Sequence, residues 1–255
     1  MRKIAAVLAL VLFIGCGNRK VAAGPIPPAP FHVVSAGSEG IPPDLLRLLI
    51  GQESDAKTKT LDVKCPTGPG HCVVQYRFHG PILDDSVAQF AAFMQAAEDA
   101  KIETVLIELD TPGGSTEAGY EMSRTIEAAK MRVVCVADGE VESMGFYVFE
   151  SCNTRVMTKR STLMAHQPRA IQPQGFVSIR DVQQEADSLM ATSRTYGEQV
   201  IRRMHGITIE QYLAKVDNRE WYLGWKEAQA IGAVDRVYSG TPTMIYHDLV
   251  NGKPL

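Results

Sequence analysis

Ser143 and His166 are the residues of this 255-residue chain whose types and setting suit nucleophilic chemistry. A serine hydroxyl attacks a carbonyl only when a base takes its proton, and an imidazole is the side chain best suited to do so near neutral pH. Ser143 opens the run Ser143-Met144-Gly145, at the start of a short apolar segment of helical character reaching Ser151. His166 closes the strand-like run Thr162 to Ala165 and begins His166-Gln167-Pro168. Serine is also a favoured helix N-cap, so its company has to decide between the two roles. Two strand-to-helix junctions supply that company: Asp110-Thr111-Pro112-Gly113-Gly114 and Glu142-Ser143-Met144-Gly145. Each places backbone N–H groups at a helix start, where they lack intrahelical acceptors, and two such junctions side by side could hold an oxyanion.

The elements that must position these residues follow an α/β pattern. Val73 to Phe78 reads as a strand, and Ser86 to Lys101 places Val87, Phe90, Ala91, Met94 and Ala97 at helical spacing. Thr104 to Leu109 reads as a buried strand, followed by a helix capped by Ser115 and running to about Lys130. Met131 to Ala137 is the next strand, with Asp138-Gly139 turning the chain, and Arg155 to Thr158 is another. Ile179 to His205 is a long helix stopped by Gly206, Thr208 with Gln211 forms a capping box, and Lys226 to Ile231 is a last short helix. One domain over 59–240 is expected, with 241–255 as a C-terminal tail.

Three motifs in order, Pro112-Gly113-Gly114, Ser143-Met144-Gly145 and His166-Gln167-Pro168, resemble those of the ClpP-like serine peptidases. The resemblance runs from about Val73 to Val237. It implies a ClpP/crotonase-like spiral of β-β-α units in a single domain, and a Ser-His-Asp triad in which Asp217, before Trp221-Tyr222-Leu223, is the third member. It also implies an oxyanion hole made by the N–H groups of Gly113 and Met144, peptides or unfolded proteins as substrates, and a homo-oligomer, since the long helix from Ile179 resembles the family's ring-stacking handle. A signal-peptide-peptidase branch of the same fold uses a Ser-Lys dyad, but no lysine lies between Lys159 and Lys215. Two departures stand out. Glu140 and Glu142 precede the nucleophile where the family has small residues, and Arg169 follows His166-Gln167-Pro168 where the family often has glycine.

The N-terminus reads as an export signal over residues 1–15: Arg2 and Lys3, then the apolar stretch Ile4 to Ile14. That stretch is too short to span a bilayer. Leu12-Phe13-Ile14-Gly15-Cys16 resembles a bacterial lipobox, which makes Cys16 a lipidation site and puts the protein in the cell envelope, anchored to the membrane and facing the periplasm or exterior. Residues 16–58, rich in Pro and Gly, form a tether. The remaining cysteines, Cys65, Cys72, Cys135 and Cys152, are even in number and suit disulfides in an oxidising compartment. Cys65 and Cys72 bracket a turn-rich loop; with His71 they offer too few ligands for a metal site. A net charge of -3 gives no field for nucleic acid. The chain has no phosphate-loop motif, and neither a cofactor nor an ATP-driven unfoldase partner is expected. The competing readings are a non-catalytic envelope lipoprotein using the fold as an interaction platform, and a crotonase-type acyl-CoA hydratase, which lacks the His-Gln-Pro motif.

Overall fold

The computed structural model describes residues 72–169 and 178–255. The export signal, Cys16, the tether and Cys65 lie outside the described residues.

The chain alternates strands and helices: β1 (Val73–His79), α1 (Asp84–Asp99), β2 (Thr104–Thr111), α2 (Thr116–Ala128), β3 (Arg132–Glu142), α3 (Met144–Glu150), β4 (Thr154–Thr158) and β5 (Thr162–Ala165). Then come α4 (Ile179–Ile201), α5 (Ile209–Val216), β6 (Trp221–Gly224), α6 (Trp225–Ala230), β7 (Arg236–Tyr238) and α7 (Pro242–Val250). The main sheet runs β1-β2-β3-β4-β7 with every neighbour parallel, and β5 and β6 branch from the far end of β3.

Helices cover both faces of this sheet, which explains why β2 carries the consecutive apolar residues Val105, Leu106 and Ile107 instead of an alternating pattern. On one face α1 buries Val87, Phe90, Phe93, Met94 and Ala97, and α2 buries Ala118, Met122 and Ile126. On the other, Ile245, Tyr246, Leu249 and Val250 of α7 pack on Val73, Leu106, Val134, Val136 and Val156. The stretch expected to be a tail therefore holds a helix that closes the second face. Thr241 caps it, accepting from the Met244 N–H, and Pro242 occupies its first turn.

Asp138-Gly139 does not turn the chain away from the sheet. β3 runs through it and changes partner there: Val134 to Ala137 lie beside β4, whereas Glu140 to Glu142 lie beside β5. Gly139 has φ +130°, and a Cβ on it would come within 2.4 Å of Asp110 Oδ1. Asp110 accepts from the Glu140 N–H at 3.0 Å, and Ser161 Oγ accepts from the Gly139 N–H at 3.1 Å. A bulge held by two side chains thus replaces the expected turn, and it aims the end of β3 toward α3.

Two further devices hold the helix that follows Ser143. A disulfide joins Cys135 of β3 to Cys152 just beyond α3. Cys72 is also disulfide-bonded. A file of aromatic contacts then runs from Tyr120 (α2) through Tyr147 (α3), Tyr196 (α4) and Tyr212 (α5) to Trp221 (β6), with ring centroids 5.1, 5.5, 6.5 and 6.1 Å apart in turn. Contacts of this kind favour fixed edge and tilted geometries, so they set α4 against α3. Only the second half of α4 is buried, through Ser193, Tyr196, Gly197 and Val200. Its first half leaves Ile179 and Met190 on the surface.

Candidate active site

Ser143 sits between β3 and α3 with φ 52° and ψ −123°. A non-glycine residue there costs about 1–3 kcal/mol and persists only where its surroundings impose it. Here the Ser143 N–H donates to the Met164 carbonyl of β5 at 2.8 Å, the buried Tyr196 hydroxyl donates to the Ser143 carbonyl, and the Phe146 N–H donates to that same carbonyl at 3.0 Å. The Ser143 side chain caps nothing. It occupies the N-cap position of α3 yet leaves Oγ to a cavity of about 250 Å³, which it lines with Met144, His166, Pro168, Arg169 and Tyr196.

The Gly113 turn borders the same cavity through Pro112 and Gly114. Gly113 has φ +84°, and a Cβ there would fall 2.7 Å from both Glu142 O and Ser143 Cβ and 2.9 Å from Met144 N. The two junctions singled out in the sequence are therefore in contact. Met144 is the first residue of α3, so its N–H has no intrahelical acceptor. The Gly113 N–H donates to Thr111 Oγ1 at 3.1 Å. A methyl at Gly113 would push the turn off Ser143, so Gly113→Ala is expected to slow any acyl transfer that draws an oxyanion donor from this turn by about 10²–10³-fold, read as the rate of acylation of Ser143 in the folded variant.

His166 follows β5 and is half-buried. Its Nδ1 lies 2.5 Å from the Gln167 carbonyl oxygen. A carbonyl only accepts, so Nδ1 carries the proton and Nε2 of the neutral ring keeps its lone pair as the basic atom. Burial holds the imidazole below its ordinary value, with the Arg169 cation adding to this and the Gln167 carbonyl and Glu220 carboxylate opposing it. Ser143 and His166 share the cavity without a direct hydrogen bond to each other; such contacts often tighten only with substrate in place.

Asp217 stands at the C-terminal end of α5, exposed, and accepts from Asn218 Nδ2 at 3.1 Å. Asp217 lines neither the Ser143 cavity nor a second one of about 650 Å³, which Glu220 lines together with His166 and from which its charge acts on the imidazole. β5 and β6 are antiparallel, and their last pair, Ala165 opposite Trp221, leaves His166 and Glu220 each one residue beyond it. Glu220 accepts from the Tyr222 hydroxyl at 2.8 Å and pairs with Arg169 at 3.3 Å. Glu140 and Glu142 pair with Thr162 and Met164 of β5, and neither lines the Ser143 cavity. Burial, followed by Glu140 and Glu220, raises the Glu142 carboxyl above its ordinary range.

Residues 75–241 match the family model described as Clp protease. The chain belongs to the Clp protease family. Among its relatives, an ATP-dependent Clp protease proteolytic subunit 3 of Rhodococcus jostii is 31% identical over 170 residues, covering 65% of this chain and 81% of that one. A subunit of the same description from Synechococcus is 28% identical over 169 residues, covering 64% and 81%. In fold, the chain is similar to a ClpP1 mutant from Listeria monocytogenes, with a TM-score of 0.58 and 20% identity over 65% of this chain and 91% of that one. The Clp protease match takes in Gly113, Ser143, His166, Asp217 and Glu220, and stops one residue before α7.

Proposed function

We propose that this Clp protease family member is a serine peptidase of the cell envelope that hydrolyses peptide bonds in peptides or unfolded chains. The observation that carries the reading is Ser143 itself: strained, fastened through both backbone polar groups, and with a hydroxyl that caps nothing and lines a cavity shared with His166.

In this mechanism Ser143 Oγ attacks the scissile carbonyl while its proton passes to His166 Nε2. The tetrahedral oxyanion accepts from the Met144 N–H and from the Gly113 N–H, which exchanges its Thr111 acceptor for it. Collapse breaks the C–N bond, His166 gives its proton to the leaving amine, and an acyl-enzyme remains. Water activated by the same imidazole then releases the acid and restores Ser143. A carboxylate on the far side of His166 stabilises the imidazolium formed in both steps; Glu220 is better placed for this than Asp217. The exposed apolar residues of the first half of α4, Ile179 and Met190 among them, suit pairing between copies. Export and acylation of Cys16 rest on the N-terminal sequence, and no unfoldase is assigned as a partner.

Labelling with a fluorophosphonate tests the reading. Wild-type protein is expected to take up one probe on Ser143, with Ser143→Ala and His166→Ala unlabelled. Equal labelling of all three, or an unlabelled but folded wild type, refutes it. Detergent partitioning of the full chain tests the anchor: Cys16→Ser should move to the aqueous phase, and identical partitioning would rule out acylation.

A further inference from the structure

Arg169 stands where two cavities meet. It lines the Ser143 cavity, and apart from His166 it is the one charged residue of that lining. It also lines the cavity on the other side of His166, where its guanidinium pairs with Glu220. That pair is a single contact of 3.3 Å between side chains 73% and 40% exposed. An exposed pair of that kind is weak and is readily exchanged for a better one. The Ser143 cavity is thus lined by an accessible cation and by no carboxylate.

We infer that Arg169 is the specificity-determining residue of this site: it binds a carboxylate of the peptide substrate within the Ser143 cavity and thereby releases Glu220 to His166. The inference rests on the peptidase reading above. A planar guanidinium grips a carboxylate through two parallel hydrogen bonds, which the long contact to Glu220 does not provide. Moving the Arg169 cation off Glu220 leaves that carboxylate with His166, where it favours the imidazolium of the transition state. An acidic substrate therefore does more than bind: it completes the support of the base. The carboxylate could be an Asp or Glu side chain near the scissile bond or the C-terminus of a short peptide, since the chemistry at Arg169 is the same.

The experiment uses internally quenched peptides identical except at one position flanking the scissile bond, carrying Glu, Gln or Lys, each as the free acid and as the C-terminal amide. Wild type is expected to prefer Glu over Gln by about tenfold in kcat/KM, the scale of one charge-assisted pair. The free-acid and amide series show which carboxylate is read. In Arg169→Gln the ratio should fall to about one, and in Arg169→Glu it should invert in favour of Lys, as expected when the local charge is reversed. In Glu220→Gln the acidic group should still lower KM but no longer raise kcat. No acid preference in wild type, or a preference that survives Arg169→Gln, overturns the inference. Fluorophosphonate labelling of the same preparations separates the two levels. A wild type that labels yet shows no acid preference removes only the Arg169 assignment, whereas one that fails to label removes the peptidase reading and this inference with it.

Discussion

Replacing either Ser143 or His166 by alanine is expected to reduce kcat for peptide hydrolysis by about 10⁶-fold, and replacing both should cost no more than either alone, because the two groups act as a unit. The residual rate would come from binding and from the Gly113 and Met144 N–H groups. A double variant markedly slower than the singles would mean that the two side chains act independently, which the shared cavity does not allow for. The pH profile tests the same pair from another side. His166 must be neutral to accept the Ser143 proton, and burial together with Arg169 holds its pKa below the ordinary 6.5. The basic form is thus already present at lower pH, so the acid limb of kcat/KM should fall below pH 6.5. Glu220 opposes that shift. Glu220→Gln should therefore move the limb lower still, whereas Asp217→Asn should leave it in place. An acid limb moved by Asp217→Asn and not by Glu220→Gln would restore Asp217 as the partner of His166.

That contrast marks where the sequence stops being informative. The three motifs around Gly113, Ser143 and His166 are local, and each is visible because a strand end, a turn and a helix start follow one another along the chain. Which carboxylate comes near His166 depends on something non-local, the antiparallel pairing of β5 and β6. Asp217 and Glu220 are close enough in sequence to share one motif context, but only Glu220 directly precedes Trp221, the residue that pairs with Ala165. The short strands β6 and β7, of four and three residues, carry too little pattern to be seen alone. Asp138-Gly139 misleads for a related reason: the dipeptide is a turn signal, yet Asp110, from a neighbouring strand, occupies the space that makes glycine necessary. The helix α7 was legible in principle, since Thr241-Pro242 is a cap followed by a proline in the first turn. What the sequence could not show is the apolar sheet face it covers. The even cysteine count pointed to disulfides, but pairing Cys135 with Cys152 required knowing that α3 folds back along β3.

The other large effect expected is on stability, and it concerns the far end of the nucleophile helix. Arg155, 2% exposed, donates from Nη1 to Glu150 Oε2 at 2.5 Å, from Nη2 to Asp235 Oδ1 at 2.8 Å and from Nε to Asp235 Oδ2 at 3.2 Å. Asp235 also accepts from Arg203, whose Nη1 reaches the Cys152 carbonyl at 2.7 Å. One guanidinium thus joins the last residue of α3 to β4 and to the approach to β7. Arg155→Ala would leave the fully buried Glu150 carboxyl without its donor and take two of the five hydrogen bonds from Asp235; each buried polar group left unpaired costs about 1–3 kcal/mol. Against a typical total of about 5–15 kcal/mol, that should appear as a large drop in the denaturant midpoint at pH 7. A loss below about 1 kcal/mol would show that solvent or the Arg203 guanidinium replaces Arg155 readily. Glu150 gives the pH dependence. Burial pushes its carboxyl up to about 8, with the Arg155 charge and hydrogen bond pulling the other way. A carboxyl whose folded pKa is raised stabilises the fold fully below its unfolded value, and that contribution is lost as pH rises toward 8. Asp235 has the opposite sign: burial raises it, the Arg155 hydrogen bonds and charge outweigh this, and it ends below its ordinary range, so its contribution is lost only on acidification. Glu150→Gln cannot ionise and should flatten the alkaline slope of stability while leaving the acid slope intact. Arg155→Ala should lower stability across the whole range, and since α3 begins at Met144, fluorophosphonate labelling of Ser143 should fall with it.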